Sequence, residues 1–425
     1  MTTQIPARRF NPLTALRTVC LSLDRLQRGL SLLVIVRLAL ALLFMLNVLP
    51  LELRWKWYLH HGGDQEVILG LALSIVDGNP QPSLVGIGQA LVMIPWIILL
   101  KPYNYFDIVV PLVLINGFLL GGLSIPLIGG IVRRTTGKDG VAALVALVWA
   151  TLPLIVYYGF FWHFAGETVR SANVPKLGWL NGLADGPATF FLMLAVYLLA
   201  LPPEDKPRPY WRMAGVGAAM SAAVMFRVHI APMVAFLLLY VLVFHGWRAL
   251  LVVCAAGLIT YIPQAWYNVV VFGIPITSGY SSLWDTIFTS AGQARPLIDR
   301  LRNLPFHPRH LVELWTYLIG RRPWLIVPLA LAALAGMATL IDLGRARGWR
   351  TVALLSGAPL VYLGLMATAW PFRDDPIRFA MPALPYLLTA LVYAVWRGGK
   401  RLATYRLTRA KPLLANLPSQ QEPLS

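Results

Sequence analysis

The stretch 107–131 reads DIVVPLVLINGFLLGGLSIPLIGGI, and no charged residue occurs between Ile108 and Val132. A helix needs about 20 apolar residues to cross a hydrocarbon layer about 30 Å thick, so this run can span a membrane. Its apolar residues are continuous rather than alternating, which argues against a β-barrel strand. In lipid, every backbone N–H and C=O must be satisfied within its own segment, and a helix does this. Similar runs recur from Leu32 to Trp396. They predict spans at about 31–52, 107–131, 140–158, 187–201, 213–228, 230–246, 250–268, 323–341, 351–369 and 379–396. The 425 residues are 58% hydrophobic and 13% charged, with a mean hydropathy of +0.66. Soluble domains carry about 25% charge, so lipid rather than a protein core must cover much of this apolar surface. The expected fold is an all-α polytopic membrane protein.

The net charge of +18 raises nucleic acid as a partner, and its distribution argues against one. With the N-terminus inside, the cytoplasmic segments hold 21 of the 36 basic residues and net +15, while the outer segments net +1. This is the positive-inside pattern, which also accounts for the high isoelectric point and implies membrane lipids as neighbours. The count is met when 84–100 is a re-entrant or juxtamembrane helix on the outer side rather than an eleventh crossing. It also needs 213–246 to form a short hairpin with Arg227 and His229 near its tip. The organisation expected is a basic cytoplasmic segment over 1–30, a transmembrane domain over 31–397 and a cytoplasmic tail over 398–425. Outer loops fall at about 53–106, 159–187, 269–322 and 370–378. The tail after Lys411, rich in Pro, Gln and Ser, is expected to be disordered. The basic first 30 residues run directly into a full-length span, which is not the pattern of a cleaved signal peptide. Cys20 and Cys254 give no disulfide framework.

Within so apolar a chain the charged residues of the outer segments are the candidates for chemistry. Asp64 and Glu66 follow His60 and His61 and precede an amphipathic run. Two carboxylates at a lipid–water boundary can divide between a general base, raised in pKa by partial burial, and a group that orients it or holds a cation. Helix capping is the plainer explanation of the same spacing. His61 is a supporting candidate, although adjacent histidines do not share a helical face and a zinc site is disfavoured. The second outer loop carries His163 among aromatic residues that suit an interfacial belt, and ends in Ala184-Asp185-Gly186-Pro187. Asp185 stands at the mouth of the fourth span, as an N-cap or as a functional acid. A charge at mid-span costs about 2.5–3.5 kcal/mol, so Arg227 must face a cavity or a partner. Beside His229 it can bind an anion such as phosphate, or it can pair with a buried carboxylate. Arg37 lies near the cytoplasmic end and is expected to snorkel. In the last outer loop Arg373 and Arg378 can grip phosphate, bind lipid headgroups or pair with Asp374 and Asp375.

The order of these motifs resembles the membrane glycosyltransferases of the GT-C fold, which include protein O-mannosyltransferases, the aminoarabinose transferase of lipid A and oligosaccharyltransferase catalytic subunits. The acidic pair Asp64 and Glu66 follows the first span, and Asp77-Gly78-Asn79-Pro80-Gln81-Pro82 leads into the apolar 84–100. Arg133-Arg134-Thr135-Thr136-Gly137-Lys138 precedes the third span, and Asp185-Gly186-Pro187 opens the fourth. Phe272-Gly273-Ile274-Pro275, followed by Ser278-Gly279-Tyr280, is similar to a loop of bacterial members. Arg378-Phe379-Ala380-Met381-Pro382-Ala383-Leu384-Pro385 is similar to their last span start. The acidic pair is Asp-x-Glu, where several of these families have Asp-Glu or Asp-x-Asp. The resemblance covers about 31–397.

It implies an enzyme that moves a hexose or pentose from a polyprenyl-phosphate-linked donor to an acceptor hydroxyl of a lipid, glycan or protein. The work would be done on the outer face of the plasma or inner membrane, for the cell envelope. Asp64 would be the catalytic base. Glu66 and Asp185 would orient the acceptor, the base or a divalent cation. Arg378, Arg227 and Arg373 would bind the lipid phosphate, with His61, His163, His229 and Tyr280 in support. The other readings are a lipid or sugar transporter or flippase, which predicts paired broken helices at the membrane midplane, and a non-catalytic scaffold of a polysaccharide assembly machine.

Overall fold

The computed structural model describes residues 24–46, 64–83, 85–155, 179–180, 182–200, 210–276, parts of 309–316, 326–368 and 376–415. Among these the regular structure is helical, with no strand. In chain order the helices are α1 (Arg25–Met45), α2 (Asp64–Val76), α3 (Gly88–Leu100) and the long α4 (Tyr105–Thr136). Then follow α5 (Asp139–Leu154), α6 (Asp185–Leu199), α7 (Tyr210–Phe226), α8 (Ala231–His245) and α9 (Trp247–Phe272). The chain closes with α10 (Ile326–Arg347), α11 (Trp349–Ala367), the short α12 (Pro376–Ala380) and α13 (Leu384–Ala415).

Five described segments are long and apolar enough to cross a membrane: Arg25–Leu43, Tyr105–Thr136, Val228–His245, Trp247–Phe272 and Trp349–Ala367. Leucine, isoleucine and valine side chains stand exposed along them, as Leu32, Ile35, Leu258, Ile259 and Leu360 do. Water would penalise such surface and lipid does not. The chain is a helical membrane protein. Gly88–Leu100, Asp139–Leu154 and Asp185–Leu199 are apolar but shorter. At about 1.5 Å per residue, the 13 residues of α3 cover about 20 Å, less than a crossing.

Helix bounds differ from the sequence expectation where the backbone, rather than hydropathy, sets the end. The helix of the first span starts at Arg25 because Asp24 and Gln27 form a reciprocal cap, the Gln27 amide donating to Asp24 Oδ1 at 2.8 Å. The last helix does not stop near residue 396. It continues as α13 to Ala415, past Lys411, because the basic residues there are good helix formers and Asp342 of α10 holds both Arg397 (3.2 Å) and Arg401 (3.0 Å). Arg37 does not snorkel. It is buried against α5, where Pro153 has no N–H to give the Trp149 carbonyl, and its guanidinium donates to Ala150 O at 2.6 Å and Trp149 O at 3.5 Å.

Arginines also secure the end of the molecule opposite the carboxylate cluster described below. Arg133 bridges Asp24 and Asp139, tying α1 to the α4–α5 turn. Arg134 donates to the Tyr197 carbonyl near the end of α6 and lies 3.7 Å from the centre of the Tyr197 ring. Arg347 donates to Thr136 O at the end of α4. Arg134 and Arg347 thus meet carbonyls that a helix terminus leaves without an intrahelical donor.

Close backbone packing places the α3 segment against α7. A Cβ added to Gly88 would lie 2.7 Å from Phe226 N and 2.8 Å from the Met225 carbonyl carbon, and one on Gly86 would overlap Met225 O. Gln264 of α9 clips the same segment, its Oε1 accepting from Ile87 N at 3.0 Å and its Nε2 donating to Asn268 at 2.9 Å. Tyr267 donates to Gln81 O at 2.8 Å. Gly88→Ala should therefore lower stability by about 1–3 kcal/mol through overpacking against backbone atoms that cannot rotate away. Gly70→Ala, which meets open space, should not. Unfolding of both variants in detergent, followed by helix signal, checks the contrast.

Candidate functional site

Four charged residues separated widely in sequence meet at one place. Asp64 opens α2, Asp185 opens α6, Arg227 ends α7 and Arg378 lies in α12. Arg227 Nη2 donates to Asp185 Oδ2 at 2.7 Å, and Arg378 Nε donates to the same oxygen at 3.1 Å. Arg378 Nη2 also pairs directly with Asp64 Oδ2, and Arg227 Nη2 stands 3.8 Å from that atom. The side chains of Asp185 and Arg227 are each 4% exposed, Arg378 11% and Asp64 32%. Among the described residues two carboxylates thus face two guanidiniums, and their formal charges balance.

Each residue is delivered by a local feature. α4 contains a π-turn at Leu114–Leu120, and its glycines receive the chain that precedes α6. A Cβ on Gly117 would lie 2.9 Å from the Leu180 side chain, and one on Gly121 3.4 Å from Trp179. Asn116 donates to Leu183 O at 3.4 Å, and Gly182, at φ +64°, turns beneath the Tyr105 hydroxyl. That conformation favours glycine. A π-turn beside a charge cluster agrees with the frequent use of such turns at functional sites. Asp185 then enters α6 as its first helical residue, directed at the arginines rather than capping the helix.

Arg227 sits at a true break. α7 makes its last helical bond from Arg227 N to Ala223 O at 3.0 Å, and Arg227 itself is extended, at φ −146° and ψ 105°. A 3₁₀ turn, Val228–Ile230, follows, and Pro232 begins α8 without an N–H to continue a helix through this point. The break expected at Arg227 is present. α7 packs along α6 and α9, whereas α8 packs on α9 and α11, so the two halves part company rather than forming a closely packed pair. Arg378 is held by its turn. Tyr362 of α11 donates to Phe379 O at 2.5 Å, and Met381 N donates to Arg378 O at 3.2 Å. His229 lies against the same turn, its ring 5.2 Å from that of Phe379 and 6.1 Å from that of Tyr362.

Of the candidates read from the sequence, Asp64, Asp185, Arg227 and Arg378 come together, with His229 beside them. Glu66 does not join them. It is exposed, because Asp64 is helical and a residue two further on points to the other side of the helix. The cation site proposed for Asp64, Glu66 and Asp185 is also not formed. No group of three His, Cys, Asp or Glu suited to a metal occurs among the described residues, and guanidiniums face both carboxylates of the cluster. His61, His163, Arg373 and Tyr280 lie outside the described residues. Tyr362 gave no signal in the sequence, where it is one aromatic residue within an apolar run. Its role depends on a carbonyl 17 residues away.

Burial acts to raise the Asp64 carboxyl, but the neighbouring guanidiniums of Arg378 and Arg227 outweigh it and hold the group below its ordinary value of 3.8. Three buried polar atoms of the cluster have no hydrogen-bond partner: Asp185 Oδ1, Arg227 Nε and His229 Nε2. Such atoms cost about 1–3 kcal/mol each when unsatisfied, so they are places where a polar ligand or water gains most.

Arg227→Met would leave Asp185 buried with its main counter-charge gone, and should cost about 3–5 kcal/mol in stability. Adding Asp185→Asn should restore part of the loss, and a double-mutant cycle on unfolding measures the coupling. For Asp64 the folded pKa lies below the unfolded one. Its contribution is then fully present above about pH 4 and is lost as pH falls through the folded value. Asp64→Asn should accordingly flatten the acid limb of a melting temperature–pH curve. The chain matches no protein-family model, no curated protein and no solved structure.

Proposed function

We propose that this chain is an integral membrane glycosyltransferase of the GT-C type, with about ten spans and a catalytic site on the outer face of the cell membrane. It would transfer a sugar from a polyprenyl-phosphate donor to an acceptor hydroxyl. The observation that carries this reading is the convergence of Asp64, Asp185, Arg227 and Arg378. Burying ions in a membrane protein costs several kcal/mol per group, and intramembrane charges are a mark of function. A packed apolar contact would join these helices at less cost. The combination is also the one needed for displacement at an anomeric carbon by a hydroxyl with phosphate as the leaving group.

In that reaction the acceptor O–H gives its proton to the Asp64 carboxylate as the oxygen forms a bond to the anomeric carbon. The bond from that carbon to the phosphate oxygen breaks, and its electron pair leaves with the lipid phosphate. Arg378 and Arg227 offset the charge that develops there through charge-assisted hydrogen bonds in a site of low dielectric. Asp185 holds both guanidiniums through one oxygen and so acts as a positioning residue. Phosphate is already a competent leaving group, which explains why cations rather than an acid face it. The acceptor would be a lipid, glycan or protein hydroxyl.

The purified protein, given labelled polyprenyl-phosphate sugars and membrane acceptors, should release lipid phosphate in step with sugar transfer. Asp64→Asn should lower transfer by at least about 100-fold, the lower range for loss of a general base, with expression and insertion unchanged. Glu66→Gln should retain it. Arg378→Ala should weaken donor binding by about tenfold or more. Transport of the intact donor across a vesicle membrane without cleavage would instead identify a flippase.

A further inference from the structure

We infer that the phosphate ester of a ligand enters this site by displacing Asp64 from Arg378 and Arg227, so that Asp64 is released for chemistry only when that anion is bound. The inference rests on the glycosyltransferase reading for the use made of Asp64, but the displacement itself rests on geometry. The cluster as it stands is closed. Among the described residues its two positive charges are matched by two carboxylates, and both cations that would hold a phosphate are already engaged. Arg227 Nε has no partner but is buried, so a phosphate that bridges the two guanidiniums must take the place of Asp64 Oδ2, which lies against Nη2 of both.

The two carboxylates are not equal candidates for replacement. Asp185 is 4% exposed, lies in the first turn of α6 among buried residues, and contacts Arg227 and Arg378 at 2.7 and 3.1 Å. Asp64 is 32% exposed, pairs directly with Arg378 and stands 3.8 Å from Arg227, so it has one close guanidinium where Asp185 has two. Its helix, α2, packs chiefly on α3 and the Tyr105–Ile108 turn rather than on the helices that bear the arginines. Asp64 can therefore leave without disturbing the helices beneath Arg227 and Arg378, whereas Asp185 cannot.

Departure of Asp64 leaves both guanidiniums still aligned by Asp185 Oδ2, with one positive unit of charge in excess among the described residues of the cluster. That arrangement is complementary to an anionic phosphate ester, and it faces the exposed side from which Asp64 withdrew. The exchange also resolves a chemical conflict. A carboxylate paired with two guanidiniums is a weak base, and loss of those pairs raises its basicity at the moment a donor is in place. Binding of anion and release of base are thus one competition, reciprocal in free energy.

The test uses the full-length protein in detergent with farnesyl phosphate as the probe, titrated by calorimetry, and inorganic phosphate in a second arm. Asp64→Asn removes the competitor and should tighten farnesyl phosphate binding about tenfold. Glu66→Gln, which removes an equal charge two residues away, should change it less than twofold and so separates displacement from a general field. Asp64→Ser serves as a second variant should the first not fold. Inorganic phosphate gaining the same factor identifies the phosphate group alone as the displacing agent, and a gain seen only with farnesyl phosphate shows that the prenyl chain must seat first. Binding in both Asp64 variants that is unchanged or weaker than wild type, or an equal gain in Glu66→Gln, overturns the inference, even if wild-type protein transfers sugar. Tighter binding in the variants with no transfer by wild type upholds the displacement and removes the glycosyltransferase reading.

Discussion

The buried pair between Asp185 and Arg227 is the constraint around which the site is organised. An unpaired charge in a medium of low dielectric is so unfavourable that each of these groups compels the presence of the other. Asp185 can reach Arg227 only if the start of α6 lies beside the end of α7, and Arg227 is free to turn inward only because the helix breaks there. The π-turn and glycines of α4, the left-handed Gly182 and the tight seat of Gly88 on Met225 and Phe226 all serve this approach. Arg378 and Asp64 then add to a pair that is already complete.

The molecule uses the same guanidinium chemistry in two ways. Towards the far end of α6, Arg134 meets a helix-terminal carbonyl and Arg347 does the same for α4. Both act as caps, and Arg37 supplies Trp149 O with a donor that Pro153 cannot. At the start of α6 the partners are carboxylates instead, and buried polar atoms are left without partners. Asp185 and Tyr197 are twelve residues apart on one helix, about 18 Å along its axis. A single short helix therefore connects an end whose polar groups are satisfied with an end where they are not. That asymmetry is what distinguishes a structural arginine from a candidate functional one here, since residue type does not.

Hydropathy and charge order were enough to recognise a helical membrane protein and to place Asp64, Asp185, Arg227 and Arg378 within a larger set of candidates that included Glu66 and Arg373, because lipid makes every charge within or beside an apolar run costly and therefore conspicuous. The break near residue 227 was legible for the same reason, reinforced by Pro232. Glu66 was indistinguishable from Asp64 in sequence, since both are acids in one loop, and only the helical phase that begins at Asp64 turned one towards the arginines and the other to the outside. The fate of Arg37 and the length of α13 were likewise settled by neighbours distant in the chain, Pro153 for one and Asp342 for the other. Which carboxylate faces which guanidinium, and how deeply each is buried, came from tertiary structure alone. An ion pair depends on distance and dielectric in space, and the spacing of its partners along the chain carries neither.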